Sequence, residues 1–227
     1  MCFSPEADFA VAAVLAPVGV AALRAATRRE ELLIAALPLL FACHQALEGV
    51  VWLGLEGDVA PAVRDAATGA YLAFAQVVLP LLVPLALLAI EPGRRRRWAM
   101  AGLLGVGAVV AWRFAWILTH HPIGAQGLDR LITYDTDAHF GYVLAAGYVA
   151  ATCGPALLSS RPGLRPFGLA SLLALGVAAL VRYSAVTSVW CLSVALISVL
   201  VLLSLRAPAP TPQARSRPPR GSVRSVR

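Results

Sequence analysis

Residues 32–55 read LLIAALPLLFACHQALEGVVWLGL, an apolar stretch that carries one histidine, His44, and one acid, Glu48. A helix needs about 20 apolar residues to cross a hydrocarbon core of about 30 Å, so this stretch predicts a transmembrane helix. Six further stretches have the same character, near residues 6–25, 69–90, 98–118, 139–158, 167–182 and 185–205. The sequence therefore predicts an all-α, polytopic membrane protein with seven transmembrane helices.

Composition agrees with this interpretation. The chain of 227 residues is 59% hydrophobic and 14% charged, and its mean hydropathy is +0.75. A soluble globular protein of this size needs more polar surface, so part of the surface of this protein is expected to contact the lipid of a bilayer.

The basic residues set the predicted orientation. All 19 are arginines, and fifteen of them follow the odd-numbered spans. They are Arg24, Arg28 and Arg29 after the first span, Arg94, Arg95, Arg96 and Arg97 after the third, Arg161 and Arg165 after the fifth, and Arg206, Arg215, Arg217, Arg220, Arg224 and Arg227 after the seventh. By the positive-inside rule, the N-terminus is expected outside and the C-terminus in the cytoplasm.

Acidic residues follow the opposite pattern, since only Glu30, Glu31 and Glu91 lie on the arginine-rich side. Glu6 and Asp8 stand at the start of the first span without a base ahead of them, so we expect a retained helix rather than a cleaved signal. Ser4 and Pro5 are typical of an N-cap and a first helical residue.

The sequence predicts one domain, residues 1–206, followed by a disordered, cytoplasmic Arg/Pro-rich tail, residues 207–227. We interpret the basic charge as a determinant of topology close to anionic lipid, so the expected partner is the bilayer and no nucleic acid. Oligomeric state is left open.

Ionisable residues inside a span usually face the bundle interior and mark candidate sites. His44, Glu48 and Trp52 recur every four residues and share one helix face. Three interpretations of His44 and Glu48 stay open: hydrogen bonds between helices, a ligand or proton site, or metal ligands. Arg113 in the fourth span lies at a similar depth, as an ion-pair partner of Glu48 or as an anion-binding group.

Further candidates lie in the outer half of the predicted bundle. Trp190 and Cys191 belong to the seventh span, Cys2 precedes the first, and His139 opens the fifth. Together with His44, Glu48, Trp52 and Arg113 they define a candidate ligand cavity. His44, Glu48 and His139 are also the candidate metal ligands, and Cys2 and Cys191 are a candidate disulfide.

The other features have structural interpretations. Pro80 and Pro84 are expected to bend the third span, and glycines in the fourth and fifth spans to allow close helix contact. Residues 119–137 form the longest outer connection, whose segment 131–134 is interpreted as a strand, a cap over the bundle or part of a disordered loop. We expect an aromatic belt at the membrane interface, formed by Trp52, Trp98, Trp116 and Trp190. We expect the thiols of Cys43 and Cys153 to be packed as small hydrophobic side chains.

The absence of lysine excludes a retinal Schiff base and a pyridoxal-phosphate link. The sequence also has no P-loop, so ATP-driven chemistry lacks its motif.

Three segments carry a resemblance to a known family: Met1-Cys2-Phe3-Ser4, the second-span run from Pro38 through Gln45 and Glu48-Gly49 to Trp52, and Ser188-Val189-Trp190-Cys191. They resemble an uncharacterised family of bacterial seven-helix membrane proteins, a domain of unknown function, over the whole chain apart from the tail. The resemblance implies a multi-pass protein of the bacterial plasma (inner) membrane and supplies no reaction.

The leading hypothesis is a ligand-binding or sensor-like helix bundle with a polar cavity in its outer half. The first alternative is a hydrolase-like intramembrane enzyme, dependent on a metal through His44, Glu48 and His139 or on the thiol of Cys2 or Cys191. The second alternative is a transporter of small solutes or protons. Whether the chain is an enzyme stays open at this point.

Overall fold

The computed structural model describes residues 4–128, 131–135, 141–161, 163–181 and 186–206, which are mostly helical. The helices are α1 (Pro5–Ala25), α2 (Leu32–Glu56), α3 (Pro61–Ala73), α4 (Leu79–Ile90), α5 (Arg94–His120), α6 (Tyr142–Leu158), α7 (Leu164–Val181), α8 (Val186–Ile197) and α9 (Val199–Arg206). A 3₁₀ turn, Arg29–Glu31, precedes α2, and a π-helical turn, Phe74–Val78, joins α3 to α4. Strands β1 (Gly124–Leu128) and β2 (Leu131–Asp135) form an antiparallel hairpin.

Among the described residues, five helical stretches are long and apolar enough to cross a membrane: Pro5–Ala25, Arg29–Glu56, Pro61–Ile90, Arg94–His120 and Val186–Arg206. Two shorter apolar helices, Tyr142–Leu158 and Leu164–Leu180, occupy the positions of the predicted fifth and sixth spans. The prediction of a mostly helical chain with membrane-compatible helices is confirmed.

Helix ends follow ordinary capping chemistry. Ser4 caps α1 by accepting a hydrogen bond from the backbone nitrogen of Ala7, and Pro5 is the first helical residue, as predicted. Gly57 ends α2 with a φ of +90°, a left-handed conformation that glycine adopts without steric cost.

Helix α2 lies at the centre of the bundle. It packs on α1, α3, α4, α8 and strand β1, and its buried residues recur along most of its length. The approach of α1 is close because Gly19 has no side chain: a Cβ there would lie 2.5 Å from the backbone nitrogen of Leu39. Helix α1 therefore packs directly on the backbone of α2 at this point.

The glycines of α5 are not equivalent. A Cβ on Gly107 would overlap the carbonyl oxygen of Pro80, whereas a Cβ on Gly102 or Gly105 would meet open space. The expectation of close contact is thus confirmed at Gly107 and wrong at Gly102 and Gly105, because those two face away from the bundle.

The π turn before Pro80 leaves the backbone oxygen of Ala75 without a hydrogen-bond donor from its own helix. In this register the backbone nitrogen of Leu79 donates to the oxygen of Phe74, five residues back. The next donor would be residue 80 to Ala75, but proline has no N–H. The hydroxyl of Tyr148 on α6 donates instead to the oxygen of Ala75, at 2.7 Å.

Side chains join the connections at the arginine-rich end. Arg161 Nη2 donates to Glu31 Oε1 at 2.6 Å, which links the α6–α7 turn to the start of α2. Glu91, after α4, accepts from the backbone nitrogen and hydroxyl of Ser160 at 2.9 and 3.1 Å. A Cβ on Gly163 would lie 2.6 Å from that of Ser204 on α9. The arginine-rich connections therefore share one end of the molecule.

The β-hairpin covers the opposite end of α2. Ile132 on β2 is fully buried in a cluster with Val51, Trp52 and Ala67. The predictions of a strand and a cap are both confirmed for this segment, and the alternative of a disordered loop is wrong for residues 131–135.

The expected aromatic belt divides into two groups. Trp98 and Trp116 are exposed, in keeping with a lipid interface, whereas Trp52 and Trp190 are 7% and 5% exposed. The belt interpretation is wrong for the buried pair because both lie on helix faces directed at the core. Cys153 is buried as expected, while Cys43 is exposed on α2.

Candidate functional site

Helix α2 places three polar side chains inside the bundle. His44 is 1% exposed, and Gln45 and Glu48 are 0% exposed. Residues at spacings of three and four lie on one helix face, so Glu48 stands one turn above both His44 and Gln45. Burial is complete because α1, α3 and α8 surround this part of α2.

Helix α1 contributes a second buried acid, Asp8, which is 0% exposed. Gln45 Nε2 donates to Asp8 Oδ1 at 3.2 Å, and Asp8 lies near enough to Glu48 for the two carboxyl groups to interact electrostatically. Sequence reasoning interpreted Asp8 only as an outer helix-start acid and gave Gln45 no role. The sequence did contain a signal, because Gln45 and Glu48 are three residues apart and their side chains therefore lie on one face of α2.

Aromatic rings connect this cluster to the hairpin. The His44 ring stacks on Tyr71 of α3 at a centroid distance of 4.0 Å, and Tyr71 stacks on Tyr134 of β2 at 4.7 Å. The hydroxyl of Tyr134 donates to Glu48 Oε1 at 3.4 Å. The ring of Phe74, in the π turn, lies 4.8 Å from the ring of His44. The hairpin cap is thus in direct contact with the buried polar cluster.

Several polar atoms of the cluster are buried without a hydrogen-bond partner among the described residues. They are Asp8 Oδ2, Gln45 Oε1 and both ring nitrogens of His44. Buried polar groups in folded proteins are nearly always satisfied, so each such atom needs an explanation. The Gln45 amide nitrogen is directed at Asp8, and the amide oxygen of the same group is left open.

Arg113 does not pair with Glu48, and that prediction is wrong. Its guanidinium carbon lies 4.7 Å from the ring centroid of Trp116, one turn further along α5. Helix α5 packs on α4, α6 and the π turn, while α2 contacts α4 from another side. The expected similarity in depth therefore did not imply contact, because the segment formed by α3, the π turn and α4 lies between α2 and α5.

Trp190 and Cys191 face different parts of the bundle. Trp190 Nε1 donates to the backbone oxygen of Ser171 on α7 at 3.0 Å, and its ring meets Tyr148 at 5.5 Å. Cys191 is buried against Tyr71, so it adjoins the stacked aromatic rings. Of the predicted cavity residues, the structure brings His44 and Cys191 against Tyr71, Glu48 against Tyr134, and Trp190 against α7.

Two candidates, Cys2 and His139, lie outside the described residues. The Cys2–Cys191 disulfide and a metal set that includes His139 stay predictions. Within the ranges that the structure describes, no group of three or more histidine, cysteine, aspartate or glutamate side chains has the arrangement of a metal site.

Comparison with known proteins gives one match. The model of a family of unknown function, DUF6629, matches residues 1–216. Neither the curated proteins nor the solved structures contain a match to the chain.

Proposed function

The chain belongs to the DUF6629 family, and we propose that it is a membrane protein that binds a small cation in its buried polar cluster. The cluster is defined as Asp8, His44, Gln45 and Glu48. The observation that carries the proposal is that Asp8 Oδ2, Gln45 Oε1 and the His44 nitrogens are fully buried without a partner among the described residues.

The chemistry of these atoms selects the ligand class. Carboxylate and amide oxygens only accept hydrogen bonds or coordinate cations, and a neutral imidazole has one acceptor nitrogen. An anion would meet like charge at Asp8 and Glu48. A small cation, an ammonium ion among them, offsets the cost of burying the acids and satisfies the open acceptors.

The membrane topology is part of the proposal. We infer seven crossings, in which the short helices α6 and α7 act as the fifth and sixth spans, with residues 1–206 as one domain and residues 207–227 as a tail. The contacts of Glu31 and Glu91 support this topology because they gather the arginine-rich connections at one end. By the positive-inside rule that end faces the cytoplasm of a bacterial plasma membrane, and the cluster lies in the outer half.

The hairpin provides a route by which binding is sensed. Tyr134 donates a hydrogen bond to Glu48 and stacks on Tyr71, the ring that in turn stacks on His44. A ligand that draws Glu48 inward therefore weakens the hydrogen bond that holds the hairpin. Helix α2 also begins directly after Glu31. A small shift of α2 therefore reaches the Glu31–Arg161 contact at the cytoplasmic end.

The test is a thermal-shift titration of the full chain purified in detergent. The probes are ammonium, methylammonium and sodium chloride at constant ionic strength, with choline chloride as the bulky cation. A ligand that binds only the folded state raises the melting temperature as its concentration exceeds Kd. We expect at least one small cation to raise it in the wild type and choline to leave it unchanged.

Matched variants decide whether the cluster is responsible. Asp8→Asn keeps the shape of the side chain and removes its charge, and Asp65→Asn makes the same change at an exposed site. We expect the shift to disappear in Asp8→Asn and to persist in Asp65→Asn. A shift of equal size in both variants, or no shift with any small cation, would refute the proposal.

A further inference from the structure

A groove of about 480 Å³ runs along the outside of the bundle between α6 and α7. Its walls are apolar: Ala146, Val149, Ala150 and Cys153 come from α6, and Leu172 comes from α7. A volume of this size lies within the range of about 300–1,000 Å³ that is typical of ligand pockets. The groove opens sideways, toward the surroundings of the bundle.

The groove exists because α6 carries small residues on one face. Ala146 and Ala150 stand one above the other at a spacing of four, and Gly154 continues this row next to Leu103 of α5. The lining extends from residue 145 to residue 157, which at 1.5 Å per residue is about 18 Å. Half of a hydrocarbon core of about 30 Å is about 15 Å. The groove therefore has the length of an acyl chain in one leaflet.

A fixed cation stands at the cytoplasmic end of this groove. Arg165 lies seven residues before Leu172, two turns lower on the same face of α7. Its Nε donates to the backbone oxygen of Ser159 at 2.9 Å, which holds the guanidinium at the α6–α7 turn. Its terminal nitrogens have no hydrogen bond or ion pair within the described residues, and the side chain is exposed.

We propose that this groove binds an anionic phospholipid of the cytoplasmic leaflet. One acyl chain lies along Ala146, Ala150 and Gly154, and the headgroup phosphate contacts Arg165. Guanidinium groups bind phosphate oxygens through two parallel N–H donors. A zwitterionic headgroup binds less favourably than an anionic one, because it also carries a positive charge. This proposal depends on the topology above and not on cation binding.

A second copy of the chain is the competing occupant, since small residues also favour contact between transmembrane helices. Charge argues against it. Neither α6 nor α7 contains an acidic residue, so a second copy that used the same face would bring no partner for Arg165. A two-fold axis along the membrane normal would place the two Arg165 side chains at the same end of the interface, where they repel each other.

Native mass spectrometry of the full chain tests this. The protein is delipidated in mild detergent and incubated with an equimolar mixture of a phosphatidylglycerol and a phosphatidylcholine of identical acyl chains. We expect the wild type to retain one phosphatidylglycerol in preference to phosphatidylcholine.

Two pairs of variants locate the site. Ala146→Leu fills the groove, and Ala108→Leu adds the same volume at an exposed position on α5. Arg165→Gln removes the headgroup contact, and Arg95→Gln removes an exposed charge of the same end. We expect loss of the bound lipid in Ala146→Leu, loss of the headgroup preference in Arg165→Gln, and wild-type behaviour in both controls.

Three results would overturn the proposal. One is equal retention of the two lipids by the wild type, and another is undiminished phosphatidylglycerol binding in Ala146→Leu. The third is a dimer that Ala146→Leu dissociates, which would assign the groove to a second copy. Ala146→Leu decides alone if Arg165→Gln fails to fold, because residue 146 is on the surface.

Discussion

Arg161 Nη2 donates to Glu31 Oε1 at 2.6 Å, although 130 residues separate them in the chain. The same glutamate accepts hydrogen bonds from the backbone nitrogens of Thr27 and Arg28 through its other oxygen. Glu31 therefore closes the α1–α2 turn and fastens it to the α6–α7 turn. Two of the few acids on the arginine-rich side, Glu31 and Glu91, thus hold its connections together.

The first prediction concerns this contact. Glu31→Gln removes the charge from a hydrogen-bonded ion pair, and hydrogen bonds to charged groups contribute about 1.5–3 kcal/mol. We expect the free energy of unfolding in detergent to fall by about that amount, measured by chemical denaturation. Glu30→Gln, at the exposed neighbour, is the control and should leave the free energy unchanged. Equal effects of the two variants would contradict the role assigned to Glu31.

The second prediction concerns the π turn. Tyr148→Phe keeps the ring contacts with Phe114 and Trp190 but leaves the oxygen of Ala75 without its donor. An unsatisfied buried carbonyl costs about 1–3 kcal/mol, so the free energy of unfolding should fall within that range. Tyr142→Phe removes the same hydroxyl from an exposed side chain and should have no effect. A fully stable Tyr148→Phe would mean that another group satisfies Ala75.

The third prediction compares two glycines on one helix. A methyl group at residue 107 would overlap the carbonyl oxygen of Pro80. Because this is a backbone atom, it cannot move aside by a change of side-chain rotamer. We expect Gly107→Ala to lower the melting temperature and to cost about 1–3 kcal/mol. Gly105→Ala meets open space, and because alanine favours helix it should leave stability unchanged or raise it by up to about 1 kcal/mol. Equal stability of the two variants would show that α4 and α5 are farther apart.

The fourth prediction concerns the cap. Tyr134→Phe loses the hydrogen bond to Glu48 but retains the ring stacked on Tyr71, whereas Tyr134→Ala loses both. Hydrogen exchange of the amides in residues 131–135 reports how often the hairpin opens. We expect Tyr134→Phe to lower the free energy of hairpin opening by about 0.5–1.5 kcal/mol, which makes exchange modestly faster. Tyr134→Ala should lower that free energy further. If both variants exchange at the wild-type rate, the cap is held by Ile132 alone.

Interpretation of the sequence was accurate wherever one-dimensional patterns carry the information. Apolar runs located the helices because a segment's own composition decides whether it is compatible with lipid. Ser4 located the start of α1, since a cap is a contact between residues three apart. The face shared by His44 and Glu48 followed from helix periodicity, and burial of both residues agrees with it.

It was less accurate where two distant segments meet. Arg113 and Glu48 were expected at comparable depth, but the segment formed by α3, the π turn and α4 lies between their helices. Asp8 resembled an ordinary first-turn acid, and only its contact with Gln45 brings it into the cluster. Trp52 and Trp190 fit an interfacial belt by position, whereas their rings point to the core.

Local chemistry along the chain was enough to locate most of the apolar helices, the N-cap of the first one and the connections that carry the arginines, because each of these depends on neighbouring residues or on charge in short loops. The lateral order of the helices was not accessible in that way. It arises from close approaches such as Gly19 against Leu39 and Gly107 against Pro80, which depend on the shapes of two surfaces that are far apart in the chain. That order is what brings Asp8, Gln45 and Tyr134 to the face of α2 that carries His44 and Glu48.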